Sequence, residues 1–289
     1  MARTEVLLAT YNGARFLGEL LASLDAQTDQ DWVLVARDDG SADASVAMLQ
    51  DWGAAHPGRF RLVEDGRATL GASGNFGALL AESRADHFLL CDQDDVWMPD
   101  KVARLRAAML AAEAAHGAET PIIVHTDMTV ADADLRTAAP SFWRHQRLAW
   151  PDRDAPWIIL ALQNSITGCA MIGNAALRDR ALPIPDEAMM HDWWLALVAA
   201  SMGRIIDDPE PSVHYRQHEG NALGAKSWRT LDLVIWVVTG PLRSARRARF
   251  ILASTRRQAR CFARRYGSQM NPQAHRFIHE YGHLPELGI

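Results

Sequence analysis

Short apolar runs alternate with segments of helical periodicity along the first ninety residues, and few folds accept that order. Glu5 to Thr10 reads as a buried strand, and Tyr11-Asn12-Gly13 as the turn that ends it. From Ala14 to Gln27, Phe16, Leu17, Leu20, Leu21 and Leu24 recur at helical spacing. Trp32 to Ala36 is a second strand, closed by Arg37-Asp38-Asp39-Gly40-Ser41. A helix over 44–56, a strand over 60–63, a helix over 71–83 and a strand over 87–91 follow. This alternation predicts an α/β, Rossmann-like fold: a mostly parallel sheet flanked by helices. Ligands of such sheets sit at the carboxyl ends of the strands. Asp38-Asp39 and Asp92-Gln93-Asp94-Asp95 both follow strands directly, so they are expected to meet at one sheet edge.

The second half is less regular. A helix over 103–115, strands over 122–125, 167–172, 204–207 and 212–215, and a helix over 192–202 are predicted, with an irregular connection over 137–157. The length, 289 residues, and a hydrophobic fraction near one half permit one large core. Cys91, Cys169 and Cys261 are far apart and form no CxxC pair, so neither a zinc site nor a disulfide framework is expected. The first apolar run is too short for a signal peptide, and no stretch is long enough to span a bilayer.

Three carboxylates within Asp92–Asp95 repel one another, and a hard cation resolves the repulsion. Mg²⁺ or Mn²⁺ prefers carboxylate and phosphate oxygens and would neutralise a departing diphosphate. The plain alternative is an acidic turn whose aspartates, or Asp100, cap the next helix. A carboxylate at Asp38-Asp39 can accept hydrogen bonds from a ribose or a pyrimidine N–H, or else only order its own turn.

Taken together, several segments resemble glycosyltransferase family 2. They are Leu8–Gly13, Asp38–Asp43, Asp92–Trp97, Thr167–Met171, His191–Trp194 and Tyr215–Asn221, in family order and spacing over roughly residues 4–224. The set looks like the rhamnosyltransferase-like branch. The resemblance implies a GT-A fold and inverting, metal-dependent transfer from a nucleotide sugar, dTDP-rhamnose being the expected donor and a UDP-type donor the wider class. It implies a saccharide or lipid-linked acceptor in cell-surface polysaccharide synthesis. It places the turn holding Thr10, Tyr11 and Asn12, and that holding Asp38 and Asp39, on the nucleotide, and Asn75 near the sugar. Asp92 and Asp94 become the metal-binding pair, Asp95 a partner for sugar hydroxyls, and His218 a third metal ligand, with His214 the competing histidine. Gly168 lies where backbone approaches donor and acceptor. Asp192 becomes the base for the acceptor hydroxyl, although its neighbour His191 stands where the family carries an acid. The local sequence equally allows Asp192 to be a helix cap, and Trp193 and Trp194 to be core or a sugar-stacking wall.

A nucleotidyltransferase is the rival enzyme. It would carry a Gly-rich, basic loop after the first strand, whereas this chain has Thr10-Tyr11-Asn12-Gly13-Ala14-Arg15. A non-catalytic nucleotide-sugar or membrane-binding protein is the third reading, opposed by the intact Asp92, Asp94 and Asp192.

Charge divides the chain. Residues 225–289 carry twelve Lys/Arg against three acids, leaving 18 basic and 32 acidic residues in 1–224. The expected division is therefore a catalytic domain over 1–224 and a basic helical extension over 225–289. Nine arginines fall within residues 243–265, interleaved with Phe250, Ile251, Leu252 and Phe262. An anionic membrane surface is the expected partner of 229–265, and packing of its apolar stripe on the body is the alternative. No nucleic-acid motif is present. Location is expected to be cytoplasmic or peripheral on the inner face of the plasma membrane.

Overall fold

The computed structural model describes residues 3–148, 154–218 and 249–284. In chain order it runs β1 (Thr4–Thr10), α1 (Ala14–Asp25), β2 (Val33–Asp38), α2 (Ser45–Ala55), β3 (Phe60–Leu62), α3 (Gly71–Glu82) and β4 (His87–Asp92). Then come β5 (Val96–Trp97), α4 (Lys101–His116), β6 (Ile122–Thr126), β7 (Thr129–Ala131), β8 (Thr137–Ala139), α5 (Phe142–Gln146) and α6 (Pro156–Leu160). The remainder is β9 (Met171–Asn174), α7 (Ala175–Ala181), α8 (His191–Met202), β10 (Arg204–Asp208), β11 (Val213–Arg216), a helix over the described residues 249–266 (α9) and α10 (Pro272–His283).

Side-chain alternation along β1 builds both layers at once. Val6 and Leu8 face α1 and α2, among Leu17, Leu20, Leu24 and Leu49. Leu7 faces the other way, among Phe76, Leu79 and Trp194. Each such side chain, fully buried, contributes about 1.5–3 kcal/mol. The seven-stranded main sheet has the order β10-β6-β9-β4-β1-β2-β3. β1 pairs in parallel with β2 and β4, and β9 alone runs antiparallel, between β4 and β6. A mixed, mostly parallel sheet flanked by helices is thus the observed architecture. Strand register aligns Thr10 with Asp38 and Ala9 with Asp92, which puts both acidic turns at one edge.

Three features differ from the sequence expectation. Residues 168–170 form a 3-10 turn rather than the start of a strand, because the Gly168 amide is drawn to Asp192 and Ala170 N–H donates to the Thr167 carbonyl. The strand begins only at Met171. The connection over 137–157 contains β8, α5 and the start of α6. A second sheet, β5-β11-β7-β8, went unseen because β5, β7 and β8 have two or three residues each, too few for periodicity to register.

The arginine-rich segment is docked where it is described. Ala259, Phe262, Ala263 and Tyr266 of α9 and Ile278 and Tyr281 of α10 join the core around α8. Phe262 meets Trp194 edge-on with ring centroids 5.0 Å apart. Arg265 donates to the carbonyls of Leu182 and Pro183, and Arg260 to that of Gly282. Phe250 and Leu252 remain exposed. Arg243, Arg246, Arg247 and residues 229–248 as a whole, like Glu219-Gly220-Asn221, lie outside the described residues. No helix among the described residues is long and apolar enough to cross a membrane.

Candidate active site

A cleft of 390 Å³ opens over the carboxyl edge of the sheet. Thr10 and Tyr11 from the end of β1, Asp39 after β2, Asn75 and Phe76 from α3, and Asp92 and Asp94 at the end of β4 line it. Gly168, His191, Asp192 and Tyr215 close the far side. A larger hollow of 570 Å³ lies away from these carboxylates, between the ends of α8 and α10 and β10.

At the β1–β2 side one buried cation organises everything. Arg37 is wholly buried and donates to Asp39, to both oxygens of Asp65, to the Asn75 carbonyl oxygen and to the Arg67 carbonyl. That pairing holds the Asp65 carboxyl well below its usual range. Asp39 also accepts the Leu70 and Gly71 amides at 2.9 and 2.8 Å, fixing the entry to α3. Asn75 donates to the carbonyls of Thr10 and Arg37. Asp38 and Asn12 stand behind the cleft and hold the turn: Asp38 accepts Thr10, Gly40 and Ser41, and Asn12 exchanges bonds with Ser41 and Ala42. Asn12 has φ 48° and Gly40 φ 93°, left-handed conformations that such a turn demands.

Tyr11 is half exposed at the mouth, and its backbone is clamped. Gln93 Oε1 accepts the Tyr11 amide at 2.8 Å while Nε2 donates to the Tyr11 carbonyl at 3.0 Å. The clamp fits because residue 13 is glycine: a Cβ there would lie 2.1 Å from Gln93 Oε1.

At the opposite side, Asp192 sits in the first turn of α8, and Met190 takes the capping position. Its oxygens accept Gly168 N–H at 3.0 Å, Trp193 N–H at 2.6 Å and Asn164 Nδ2 at 3.2 Å. Burial outweighs these donors and pushes the carboxyl up to about 6. Such a group is a usable proton acceptor near neutral pH. Trp193 and Trp194 are core: one indole donates to the Leu160 carbonyl and the other to that of Ala181.

A sheet edge with two strand-end carboxylate turns and a facing buried carboxylate narrows the kinship, and the comparisons agree. The sequence model of the family described as glycosyl transferase family 2 matches residues 5–172. This chain belongs to glycosyl transferase family 2. A dTDP-rhamnosyl transferase of Shigella flexneri, RfbG, is 25% identical over 222 residues, 75% of this chain and 74% of that one. An uncharacterised glycosyltransferase of Nostoc is 32% identical over 103 residues, 36% of this chain, and this chain spans 31% of that relative. S. aureus TarS 1–349 in complex with UDP-GlcNAc superposes with TM-score 0.57 at 16% identity, covering 89% of this chain and 66% of that one. The mannosyltransferase PcManGT of Pyrobaculum calidifontis, in complex with GDP-Man and Mn²⁺, gives 0.53 at 17%, covering 97% and 74%. The shared fold is GT-A.

In this family 2 chain the two acidic centres at the end of β4 differ. Asp92, Asp95 and Cys169 bring ligand atoms within 4.8 Å of one another. Asp95 is fully buried, does not line the cleft, and accepts the Arg216 amide at 3.1 Å. That group of three is compensated from within by Lys101, also fully buried. Its Nζ donates to the Cys169 carbonyl, lies 3.5 Å from the Trp97 ring centroid and feels Asp95 and Asp92. Asp94 belongs to the other centre. Its Oδ2 stands 2.8 Å from His218 Nε2, and the His218 ring packs on Phe16 with centroids 4.6 Å apart. The two side chains share a hydrogen bond at that distance; adjacent ligand atoms on an octahedral ion with bonds of about 2.1 Å are roughly 3 Å apart, so the same pair could take a divalent cation in place of the shared proton. His214 is drawn into the second sheet, paired with Thr129 and Val96. Burial, Asp94 and Asp192 together push Asp92 up to about 7, the excess of negative charge that a cation relieves.

Sequence reasoning missed Arg37, Gln93, Lys101 and Asn164. Nothing in the local sequence marks Arg37 and Lys101, and only the fold shows them buried. Gln93 carried one local hint, its place inside the acidic run.

Proposed function

We propose that this chain is an inverting glycosyltransferase that moves a sugar from a nucleoside diphosphate to a hydroxyl of a saccharide or lipid-linked acceptor. The observation that carries the reading is Asp192. It is a buried, triply held carboxylate pushed up to about 6, facing strand-end carboxylates across one cleft. Asp192 takes the acceptor proton as the hydroxyl attacks the anomeric carbon and the bond to the diphosphate breaks on the opposite face. Thr10, Tyr11 and Asp39 hold base and ribose, and Asn75 and the Gly168 backbone flank the sugar. Asp94 and His218, with Asp92, hold Mg²⁺ or Mn²⁺, which when bound neutralises charge on the diphosphate. Mn²⁺ in the PcManGT complex supports that assignment. dTDP-rhamnose is the donor we favour, supported by the likeness to RfbG, and assembly of a surface polysaccharide is the setting.

The activity domain extends past 224 in this reading, because α9 and α10 complete the core under α8. Contact with an anionic membrane then rests on residues 229–248 and on the exposed side of α9. Incubating the protein with a panel of nucleotide sugars, with and without Mn²⁺, tests the reading through binding and nucleoside diphosphate release. Metal-dependent binding strongest for dTDP-rhamnose is expected. Absence of metal-dependent binding across the panel defeats it.

A further inference from the structure

His191 is a polar side chain that the fold leaves unfinished. It is 4% exposed, and neither ring nitrogen has a hydrogen-bond partner. Its ring stacks on Phe76, centroids 4.2 Å apart at 26°, and both residues line the cleft beside Asp192. Nε2 lies beside the bare Cα of Gly168, where an added Cβ would come within 3.2 Å of it. A buried polar atom without a partner costs about 1–3 kcal/mol, so a fold does not keep one at a cleft wall without compensation.

We propose that His191 is a substrate-binding residue that reads a carbohydrate hydroxyl held against Gly168 and Asp192, and so helps set sugar specificity. The inference rests on the glycosyltransferase reading. The chemistry of the wall selects the ligand group. Desolvation holds the imidazole neutral, its pKa lowered to about 3, so it offers one donor and one acceptor but no charge. A phosphate there would set like charge against the Asp192 carboxylate, and the neutral imidazole would not offset it. A hydroxyl both donates and accepts, and it can bridge an imidazole and a carboxylate. The hydroxyl belongs either to the donor sugar or to the acceptor, and the measurements separate the two.

His191→Phe keeps the stack on Phe76 and removes both polar atoms, and His191→Gln returns one near the Nε2 position. Affinity for the nucleotide sugar, affinity for its nucleoside diphosphate alone, and the acceptor KM are measured with Mn²⁺ on wild type and both variants. A donor contact predicts nucleotide-sugar binding weaker by about 10- to 100-fold in His191→Phe, with the diphosphate unchanged and partial recovery in His191→Gln. An acceptor contact predicts the same loss in acceptor KM alone. A structural role predicts none of this, since a phenyl ring fills the apolar space equally well. If His191→Phe does not fold, the comparison of His191→Gln with His191→Leu carries the same expectations. Donor and acceptor constants all within twofold of wild type in a folded Phe or Leu variant overturn the inference alone. A wild type that binds no nucleotide sugar overturns it together with its parent reading.

Discussion

The two sides of the cleft are built on opposite principles. At the β1–β2 side the polar groups are spent on one another: Arg37 binds Asp39, Asp65 and Asn75, and Asp39 also carries two backbone amides. At the α8 side the carboxylate is met by neutral donors alone, and the histidine beside it by none. Asp192 is pushed up to about 6 by burial, and His191 has two nitrogens without partners. The first side is completed by folding, so it is a rigid template. The second is completed only by what binds there. Damage to the first should therefore appear as lost stability, and damage to the second as lost turnover in a stable protein.

Asp192→Asn should give the largest effect and the cleanest separation. Transfer is expected to fall about 10²- to 10⁴-fold, with nucleotide-sugar affinity unchanged, in single-turnover and binding measurements. Near-normal transfer would remove Asp192 as the base. Arg37→Met should do the reverse. It leaves the buried Asp39 without its cation and Asp65 with Arg67 alone, and a loss of about 3–5 kcal/mol is expected in denaturant unfolding. A stable Arg37→Met protein with poor turnover would reverse the contrast drawn here.

Gln93→Glu probes the seam between the sides. A carboxylate still accepts the Tyr11 amide but presents an acceptor to the Tyr11 carbonyl, where Gln93 Nε2 now donates. Nucleoside diphosphate affinity is expected to drop by about 1–3 kcal/mol, read by calorimetry. Equal affinities would show that the clamp does not order Tyr11. The smallest effect is with pH. A base titrating at about 6 predicts a transfer rate that is flat above neutrality and falls about tenfold by pH 5. The stability sign is opposite. A carboxyl raised in the folded state stabilises most below its unfolded value near 4, and that contribution is lost as pH rises through about 6. Asp192→Asn should therefore gain on wild type in melting temperature at pH 8 and lose that advantage at pH 4.

Much of the frame was readable because strands and helices alternate at regular spacing. β1, α1, β2, α2, β3, α3 and β4 lie within two residues of their expected bounds. Register did the rest, bringing Asp39, Asp92 and Asp94 to one edge from positions more than fifty residues apart. What stayed hidden was whatever depends on depth. Asp38 and Asp39 are adjacent and chemically identical, yet Asp39 lines the cleft and Asp38 binds its own turn. Asp94 and Asp95 divide the same way, the first meeting His218 and the second buried against Arg216. Strand pleat and turn geometry decide such pairs, and no local pattern announces the outcome. The C-terminal arginines divide for a related reason. Their density points to an anionic surface, while Ala259, Phe262 and Ala263 between them pack around α8 and Phe250 and Leu252 stay exposed.

The clamp over Tyr11 has a consequence for how this chain can change over time. Gln93 occupies the volume that any side chain at position 13 would need. A lineage that replaces Gly13 must swing the Gln93 side chain aside and lose the clamp, and one that keeps the clamp is bound to glycine. Eighty residues apart, the two positions are inherited as one choice. Among descendants of this sequence they should vary together or not at all.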